Sequence, residues 1–288
     1  MRAMKSVTTL VPATTANVGP GFDCLGVALS IANRVTMHRA MGGEHPKIVA
    51  DAAELFFQTA GIEAFGFAWS IEGEVPRSRG LGSSVTVRLG ILHGLDALAG
   101  TKLGAVKLYE LCAELEGHPD NAAPAAFGGF TVARAGADTL RCDVDEALQF
   151  ILLIPDFEVS TPEAREVLPA VIPRCGAVTS VANACRITAA FLQRRYDLLR
   201  GCFADGLHQP FRQPLIPFLF KAIAAGERAG ALGGFLSGSG STICCITLGE
   251  TDAIASAMLD AAPPGSHIVV ATADNEGTRL VADEHVLP

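Results

Sequence analysis

The sequence has no Cys-x-x-Cys pair, few lysines and no apolar run of membrane-spanning length. Eight cysteines without that spacing favour buried thiols in a reducing cytoplasm, with structural zinc a remote alternative. The richest apolar run, Phe150 to Ile154, has strand length, and the first residues lack the long apolar region of a signal peptide. A net charge of −8 disfavours a nucleic-acid surface. These absences predict a cytoplasmic protein that binds neither membrane nor nucleic acid.

Several common nucleotide and catalytic motifs are also missing. No Gly-x-x-x-x-Gly-Lys-Ser/Thr occurs, which excludes a Walker-type site. No Gly-x-Gly-x-x-Gly follows the first predicted strand, so a dinucleotide-binding fold is unsupported. The His-Arg-Asp and Asp-Phe-Gly motifs of protein kinases and the Gly-x-Ser-x-Gly of serine hydrolases are absent as well.

The elements that the sequence predicts alternate between strands and helices. With 288 residues, 49% of them hydrophobic, the chain suits one large domain or two modest ones. A buried strand at 150–155 opens the second half, so we predict a boundary near residue 150 between two closely packed halves. The other predicted strands are 7–11, 65–71, 243–248 and 267–271, and the predicted helices are 47–59, 87–98, 104–116, 178–201, 218–229 and 252–259. This alternation indicates a mixed α and β architecture in packed layers.

The most informative segment is a glycine turn at Ser78–Thr86 that carries two adjacent serines into a helix. Unpaired N–H groups at a helix start, with the positive end of the helix dipole, form an anion site. Glycines let the backbone approach phosphate oxygens closely, and serine hydroxyls can bond phosphate or help hold magnesium. Taken alone, the pattern is equally typical of an ordinary capped helix after a turn.

Three further segments make this loop specific: Pro12–Gly26, Glu116–Pro124 with Gly128 and Gly129, and Gly234–Ser241. Together with Arg79–Thr86 they resemble the signature motifs of the GHMP small-molecule kinases. Within that superfamily, the Asn-x-Gly-x-Gly-Phe-Asp form and the Gly-His-Pro-Asp-Asn segment look like the homoserine kinase family. The segments Val159–Arg165 and Pro210–Arg212 match that family too.

This resemblance implies an α+β, two-layer GHMP-kinase-like fold. Residues 1–150 would form an ATP-binding half that resembles ribosomal protein S5, and residues 151–288 a ferredoxin-like half. The implied reaction moves the γ-phosphoryl group of ATP, with Mg²⁺, to the side-chain hydroxyl of L-homoserine, a step of threonine biosynthesis. A homodimer is implied as well. The alternatives are a GHMP kinase for another small alcohol and a non-catalytic binding protein with the same fold.

The resemblance also implies an amino-acid pocket in which both charged ends of a zwitterion are held. Asp23 would pair with the ammonium group, and Arg165 and Arg212 would hold the carboxylate. Asn17 and Asn121 would hold the hydroxyl end, and His118 would help orient the substrate. We assign the catalytic roles to Asn17, Asn121 and Arg165.

Each of these residues also has a simpler explanation. Asn17 and Asp23 lie among glycines, where Asx side chains often bond their own backbone to form turns. His118 precedes a proline and can act as a capping partner at the C-terminus of a helix. Arg165 and Arg212 can be surface ion pairs. We expect Gly234–Gly240 to support the substrate loop without touching substrate.

For the nucleotide and the metal, the resemblance implies that a continuous loop wraps the phosphates: Arg79, Gly80, Leu81, Gly82, Ser83 and Ser84. Ser84 would face Mg²⁺ with a glutamate from the preceding helix region, where the register favours Glu110. Glu114 and Glu116 are the competitors, and Glu110 and Glu114 share one helix face. A solvated helix face is an equally good interpretation of any one of the three.

Where several relatives, mevalonate kinase among them, have an aspartate as catalytic base, this chain has Asn121, which cannot accept a proton at physiological pH. We therefore expect catalysis without a dedicated base, by alignment and charge stabilisation. The chain departs from the family pattern at Pro76–Arg79, at Gln209, at Ser241 in place of a proline, and near Lys47, where a usual asparagine is missing.

Overall fold

A computed structural model describes residues 6–41 and 43–282. The strands are β1 Val7–Ala16, β2 Leu25–Arg39, β3 Phe67–Gly73, β4 Phe130–Val132, β5 Leu140–Cys142, β6 Gln149–Ile154, β7 Gly233–Leu236, β8 Ile243–Thr247, β9 His267–Ala271 and β10 Arg279–Val281. The helices are α1 Lys47–Ala60, α2 Ser83–Ala99, α3 Ala105–Glu116, α4 Ala122–Phe127, α5 Thr161–Glu166, α6 Arg174–Leu192, α7 Gln209–Arg212, α8 Leu219–Arg228 and α9 Asp252–Asp260. Every predicted helix and strand is confirmed within a few residues at most ends. The prediction of a helix over 178–201 is wrong at its C-terminal end, because Arg194 takes a left-handed φ of 54° after α6 ends.

The first sheet has the order β10-β1-β2-β4-β5, with β3 also paired to β2. The long pairing of β1 with β2 shifts its register between Pro12 and Thr14, as expected where proline cannot donate to the ladder. Strand β2 was missed by the sequence analysis, since most of its first half is buried on both faces and lacks a regular alternation. Helices α1, α2 and α3 pack together over buried side chains such as Phe56, Leu89 and Leu111.

The second sheet has the order β7-β8-β6-β9, all antiparallel. One face of it packs against α8 and α9 through residues such as Ile151, Ala222 and Met258. The other face shares a core with the first sheet, in which Leu29 and Phe130 meet Phe150 and Phe235. Burying each large apolar side chain contributes roughly 1.5–3 kcal/mol, so this shared core holds the two halves against each other.

The division of the chain near residue 150 stays a prediction, and the sheets qualify it in one respect. Strands β6 to β9 all follow residue 148, but β10 returns to the first sheet, where Thr9 lies opposite Leu280. The C-terminal end of the described chain therefore completes the first sheet.

Within residues 6–41 and 43–282, one helix, α6, is long and apolar enough to cross a membrane by length and composition alone. The sequence analysis had predicted no such segment. In the structure one side of α6 packs into the protein core through Ile187, Ala190 and Phe191. Its Phe191 ring stacks on Phe130 with ring centroids 4.2 Å apart, so this side belongs to the core of a folded domain.

Candidate active site

The glycine loop leads into the N-terminus of α2 in a conformation that only glycine adopts readily. Gly80 and Gly82 have φ values of 72° and 70°. A Cβ on Gly80 would lie 2.1 Å from the carbonyl oxygen of Ser237, and one on Gly82 would lie 2.2 Å from Thr14 Oγ1. Gly82 precedes the helix without a side-chain cap, so the first N–H groups of α2 are left for an anion.

Backbone and hydroxyl contacts hold this loop from both halves of the protein. The backbone N–H of Thr14 in β1 donates to the Leu81 carbonyl at 3.2 Å. Ser237 Oγ donates to the Gly80 carbonyl at 2.7 Å and accepts from Thr15 Oγ1 at 2.8 Å. The third glycine segment thus anchors the loop, and its Gly238 and Ser239 also line the cavity beside it. The anchoring matches the supporting role expected for that segment.

A cavity of about 230 Å³ opens in front of the loop. It brings together ten of the predicted site residues: Asn17, Asp23, Gly80, Gly82, Ser83, Ser84, His118, Asn121, Arg165 and Arg212. These residues come from segments as far apart as positions 17 and 212, so the tertiary fold assembles them.

Arg79 and Leu81 do not line this cavity. The Arg79 side chain turns away from it, where Nε donates to the Pro155 carbonyl at 2.9 Å and Nη1 lies 3.4 Å from Glu158. Leu81 is fully buried in the core. The side chains on either side of Gly80 therefore anchor the loop in the protein, and contact of these two residues with phosphate through their backbone stays a prediction.

Asp23 and Arg165 form a bidentate ion pair at one wall of the cavity. Arg165 Nη2 and Nη1 donate to the two Asp23 oxygens at 2.7 and 3.1 Å. The hydrogen bond to Asp23 raises the pKa of Arg165 above its usual value. Both side chains are about one-third exposed, so one face of this pair remains open to a ligand.

Arg212 lies at the same wall with its guanidinium buried. Nε donates to the Ala164 carbonyl at 3.0 Å, and Nη1 donates to the Gly238 carbonyl at 3.0 Å and contacts His208 Nδ1 at 3.2 Å. Burial first, and then repulsion by Arg165, lowers the pKa of Arg212 to about 10. Among residues 6–41 and 43–282 no carboxylate lies within ion-pair distance of this guanidinium. A buried cation without a counter-ion calls for an anionic ligand.

The Phe22 ring lies against both guanidinium groups. Its ring centroid lies 5.5 Å from the Arg165 guanidinium carbon and 5.2 Å from that of Arg212. Such stacking holds arginine forks in place without using their N–H groups. Sequence reasoning missed this role, although Phe22 stands between the motif residues Gly21 and Asp23.

Asn17 connects the first motif to the third. It adopts a left-handed φ of 64°, its Oδ1 accepts from the Asp23 N–H at 2.8 Å, and its Nδ2 donates to the Gly238 carbonyl at 2.9 Å. These bonds match the turn-forming interpretation of Asn17. Its side chain also lines the cavity, so a catalytic part for it stays a prediction.

Asn121 lies beside Gly82 of the glycine loop and His118 lies beside Asp23, each oriented by a buried neighbour. Thr14 Oγ1 donates to Asn121 Oδ1 at 2.7 Å, which fixes the amide so that its NH₂ group remains a donor. His118 Nδ1 lies 2.6 Å from Asp120 Oδ1. Burial alone would lower the pKa of His118, but the hydrogen bond and charge of Asp120 outweigh it and the pKa is raised. Thr14 was missed, although it lies within the first motif.

Of the three glutamates considered for the metal, Glu116 and not Glu110 lies beside Ser84 in the structure, and the choice of metal ligand stays a prediction. Ser84 Oγ donates to Glu116 Oε2 at 3.0 Å, and the other Glu116 oxygen accepts from Arg88 Nη1. Glu110 instead pairs with Lys107 and is half exposed, on the wall of a separate groove. Glu114 lines that groove as well. Helix α3 turns by about 100° per residue, which directs the side chain at its last position toward Ser84 and the earlier two away.

A hydroxyl and a carboxylate that meet at the start of a helix form an oxygen donor set suited to Mg²⁺. The residues present therefore fit the metal that the resemblance implies. Arg88 was not singled out by the sequence analysis. One turn beyond Ser84 on α2, it holds the Glu116 carboxylate against the cavity wall.

Two family models match this chain: GHMP kinases N terminal domain over residues 47–129 and GHMP kinases C terminal over residues 187–263. Homoserine kinase of Trichormus variabilis is 38% identical over 90% of this chain and 92% of its own length. Homoserine kinase of Aquifex aeolicus is 36% identical over 94% of this chain and 98% of its own length.

Solved structures show the same similarity to homoserine kinases and other GHMP kinases. The crystal structure of homoserine kinase from Cytophaga hutchinsonii superposes with a TM-score of 0.88 at 29% identity, covering 98% of this chain and 99% of that one. Mevalonate kinase of Methanococcus jannaschii, at 15% identity, shares the fold with a TM-score of 0.71 over 96% of this chain and 100% of its own. These similarities confirm the predicted two-layer α+β fold.

Proposed function

The chain belongs to the homoserine kinase family of the GHMP kinases, and we propose that it transfers the γ-phosphoryl group of ATP to the side-chain hydroxyl of L-homoserine. The products are ADP and O-phospho-L-homoserine, an intermediate of threonine biosynthesis. We place the reaction in the cytoplasm, a proposal supported by eight unpaired cysteines. We also propose that the enzyme works as a homodimer.

The observation that carries this proposal is the buried Arg212 guanidinium next to the Asp23–Arg165 pair, with no carboxylate of the described residues within ion-pair distance. A homoserine carboxylate would supply the missing charge to Arg212 and reach the open face of Arg165. The ammonium group would then lie against Asp23. A sugar or mevalonate has no ammonium group, so it would leave Asp23 without that partner.

The side of the cavity next to the glycine loop positions the reacting hydroxyl. The Asn121 NH₂ group, oriented by Thr14, can donate to the hydroxyl oxygen, and the start of α2 with Ser83 holds the γ-phosphate. Ser84 and Glu116 would hold Mg²⁺, which when bound neutralises phosphate charge in the transition state. The hydroxyl oxygen forms a bond to the γ-phosphorus while the bond from phosphorus to the β,γ-bridging oxygen breaks, and ADP leaves with that electron pair.

We propose that no side chain acts as a dedicated base. Within the described part of the chain, the carboxylates that line the cavity all have partners: Asp23 with Arg165, Asp120 with His118, and Glu116 with Ser84 and Arg88. In a loose transition state the nucleophile needs little prior deprotonation, so its proton can leave with the transferred phosphoryl group. Alignment in the cavity and charge stabilisation supply the acceleration.

This proposal makes a prediction about pH. If His118 were the base, kcat would fall as the pH drops through its raised pKa, because the protonated ring cannot accept a proton. We expect instead that kcat of the wild-type enzyme at saturating substrates stays flat through that range. We also expect His118→Asn to raise KM for homoserine more than it lowers kcat. An acidic limb in the wild-type kcat profile that disappears in His118→Asn would contradict the proposal.

The function is tested by an ADP-coupled assay over homoserine, serine, threonine, mevalonate and galactose. We expect kcat/KM to be highest for homoserine, because its hydroxyl stands one methylene further from the charged groups than those of serine and threonine. Highest turnover of mevalonate or galactose would identify another alcohol kinase. A nucleotide-induced thermal shift without turnover of any alcohol would identify a binding protein.

A further inference from the structure

A buried histidine lies behind the cavity wall and has no part in the proposed phosphoryl transfer. His208 is fully buried, directly precedes α7 and is not among the residues that line the cavity. Arg212 ends the same helix, one turn further on, and does line the cavity. Because His208 Nδ1 lies 3.2 Å from Nη1 of Arg212, His208 can act on a substrate through Arg212 without touching it.

The hydrogen on the His208 ring can be placed from the contacts of the ring. Nε2 lies 2.8 Å from the carbonyl oxygen of Gly19, which only accepts, so Nε2 carries the hydrogen. Burial lowers the pKa of His208 to about 4 although Asp205 lies nearby, so the ring is neutral at physiological pH. Nδ1 of the neutral ring is then an acceptor, and the Arg212 guanidinium, which has only donors, donates to it from Nη1.

Neighbouring groups fix both the ring and the backbone of His208. The Phe22 ring stacks on the imidazole with ring centroids 5.3 Å apart. The carboxylate of Asp205, a fully buried side chain, accepts from the backbone N–H groups of His208 and Gln209 at 2.9 and 2.8 Å. These contacts hold the start of α7, so Nδ1 of His208 faces Arg212 in a fixed position.

The hydrogen bonds of Arg212 leave one of its nitrogens for a ligand. A guanidinium group has five N–H groups. Nε donates to the Ala164 carbonyl, and Nη1 donates to the Gly238 carbonyl and to His208. Within residues 6–41 and 43–282, Nη2 has no hydrogen-bond partner. Two of the three acceptors are backbone carbonyls, so His208 supplies the acceptor that depends on a side chain.

We propose that His208 is a positioning residue for the amino-acid substrate: its neutral Nδ1 holds Nη1 of Arg212 so that Nη2 is directed at the substrate carboxylate. The role of His208 rests on the proposed function, in which Arg212 binds that carboxylate. A buried N–H group without an acceptor is unfavourable. Without His208, the Arg212 guanidinium would therefore turn toward another acceptor and bind the carboxylate less well, while transfer to the hydroxyl at the other end of the substrate would be little affected.

The first test compares two substitutions of His208. His208→Leu removes the acceptor, whereas His208→Asn keeps an oxygen bonded to Cγ, where the ring has Nδ1. Both variants lose the donor to Gly19, so the difference between them reports the acceptor alone. We expect His208→Leu to raise KM for homoserine roughly tenfold with kcat little changed, as for the loss of one hydrogen bond to a charged group, and His208→Asn to recover most of that loss.

His267→Leu is the matched control, because His267 is exposed on β9, and its KM for homoserine should equal that of the wild type. An unchanged KM in His208→Leu, or the same increase in His208→Leu and His208→Asn, overturns the proposal.

The second test uses 3-aminopropan-1-ol, which is homoserine without its carboxylate. We expect His208→Leu to lower kcat/KM for homoserine but not for this compound, whereas a folding defect would lower both. In the Arg212→Gln background, adding His208→Leu should cause no further loss with homoserine, because the guanidinium that His208 positions is already gone. A further tenfold loss in that background overturns the proposal.

Arg212→Gln measured alone separates the role of His208 from the function on which it rests. If Arg212→Gln loses activity selectively with homoserine while His208→Leu loses it equally with both substrates, the positioning role is wrong and the proposed function stands. Equal losses with both substrates in Arg212→Gln would contradict the carboxylate site itself, and the role of His208 with it.

Discussion

Replacing Arg212 with glutamine is expected to lower kcat/KM for homoserine roughly 30- to 5,000-fold. The range corresponds to the roughly 2–5 kcal/mol lost when one partner of a buried charge pair is removed, at about 1.4 kcal/mol per tenfold change. The glutamine amide nitrogen stands where Arg212 has Nε, so it can still donate to the Ala164 carbonyl while the charged end of the side chain is removed. Most of the loss in kcat/KM should appear in KM for homoserine, with KM for ATP unchanged.

A substrate without a carboxylate distinguishes a loss of carboxylate binding in Arg212→Gln from a folding defect of that variant. The wild-type enzyme should use 3-aminopropan-1-ol poorly, because this compound has no carboxylate. Arg212→Gln should use it about as well as the wild type does, since the compound has no group that Arg212 would bind. Arg228→Gln, which changes an exposed arginine of α8, is the control and should not alter either substrate. If Arg212→Gln lowers kcat/KM for both substrates by the same factor, Arg212 does not bind the carboxylate and the proposed carboxylate site is wrong.

Replacing Glu116 with glutamine is expected to reduce kcat by roughly 100-fold or more, the usual cost of removing one group that stabilises transition-state charge. Glu110→Gln should stay near the wild-type rate, since that side chain is half exposed and pairs only with Lys107 among the described residues. The apparent Mg²⁺ requirement should rise for Glu116→Gln alone. Binding of Mn²⁺ in the presence of ADP, followed by its electron paramagnetic resonance signal, provides a readout independent of turnover.

The neighbouring Arg88 makes a stability control necessary. Neutral glutamine leaves the Arg88 guanidinium, which is largely buried, without its charged partner, so the thermal midpoint must be followed as well. Glu116→Asp keeps the charge and should recover part of the Mn²⁺ binding. Loss of Mn²⁺ binding in Glu110→Gln, with normal binding in Glu116→Gln, would restore the original choice of Glu110.

Much of the local structure could be predicted, because it depends on short-range patterns. The apolar spacing of α2 and the glycines before it specify a helix start aimed at an anion, and four motifs in order indicate the superfamily. Strand β2 was not predicted, because burial on both faces removes the alternation of apolar and polar residues that indicates a strand. The end of α6 was misplaced because the left-handed Arg194 leaves no mark in a sequence.

The sequence by itself determined which chemical groups are available: the glycine loop, two serines, an aspartate, a histidine, two asparagines and two arginines. Only the tertiary structure decided how they are used. Glu110, Glu114 and Glu116 carry the same carboxylate, and the direction in which α3 ends brings that of Glu116 to Ser84. Arg79 and Arg212 have the same side chain, yet packing gives Arg79 two carboxylates outside the cavity. It buries Arg212 at the cavity wall, where no carboxylate from the described part of the chain forms an ion pair with it. Burial and the placement of charges depend on contacts distant in sequence, and those contacts exist only in the folded chain.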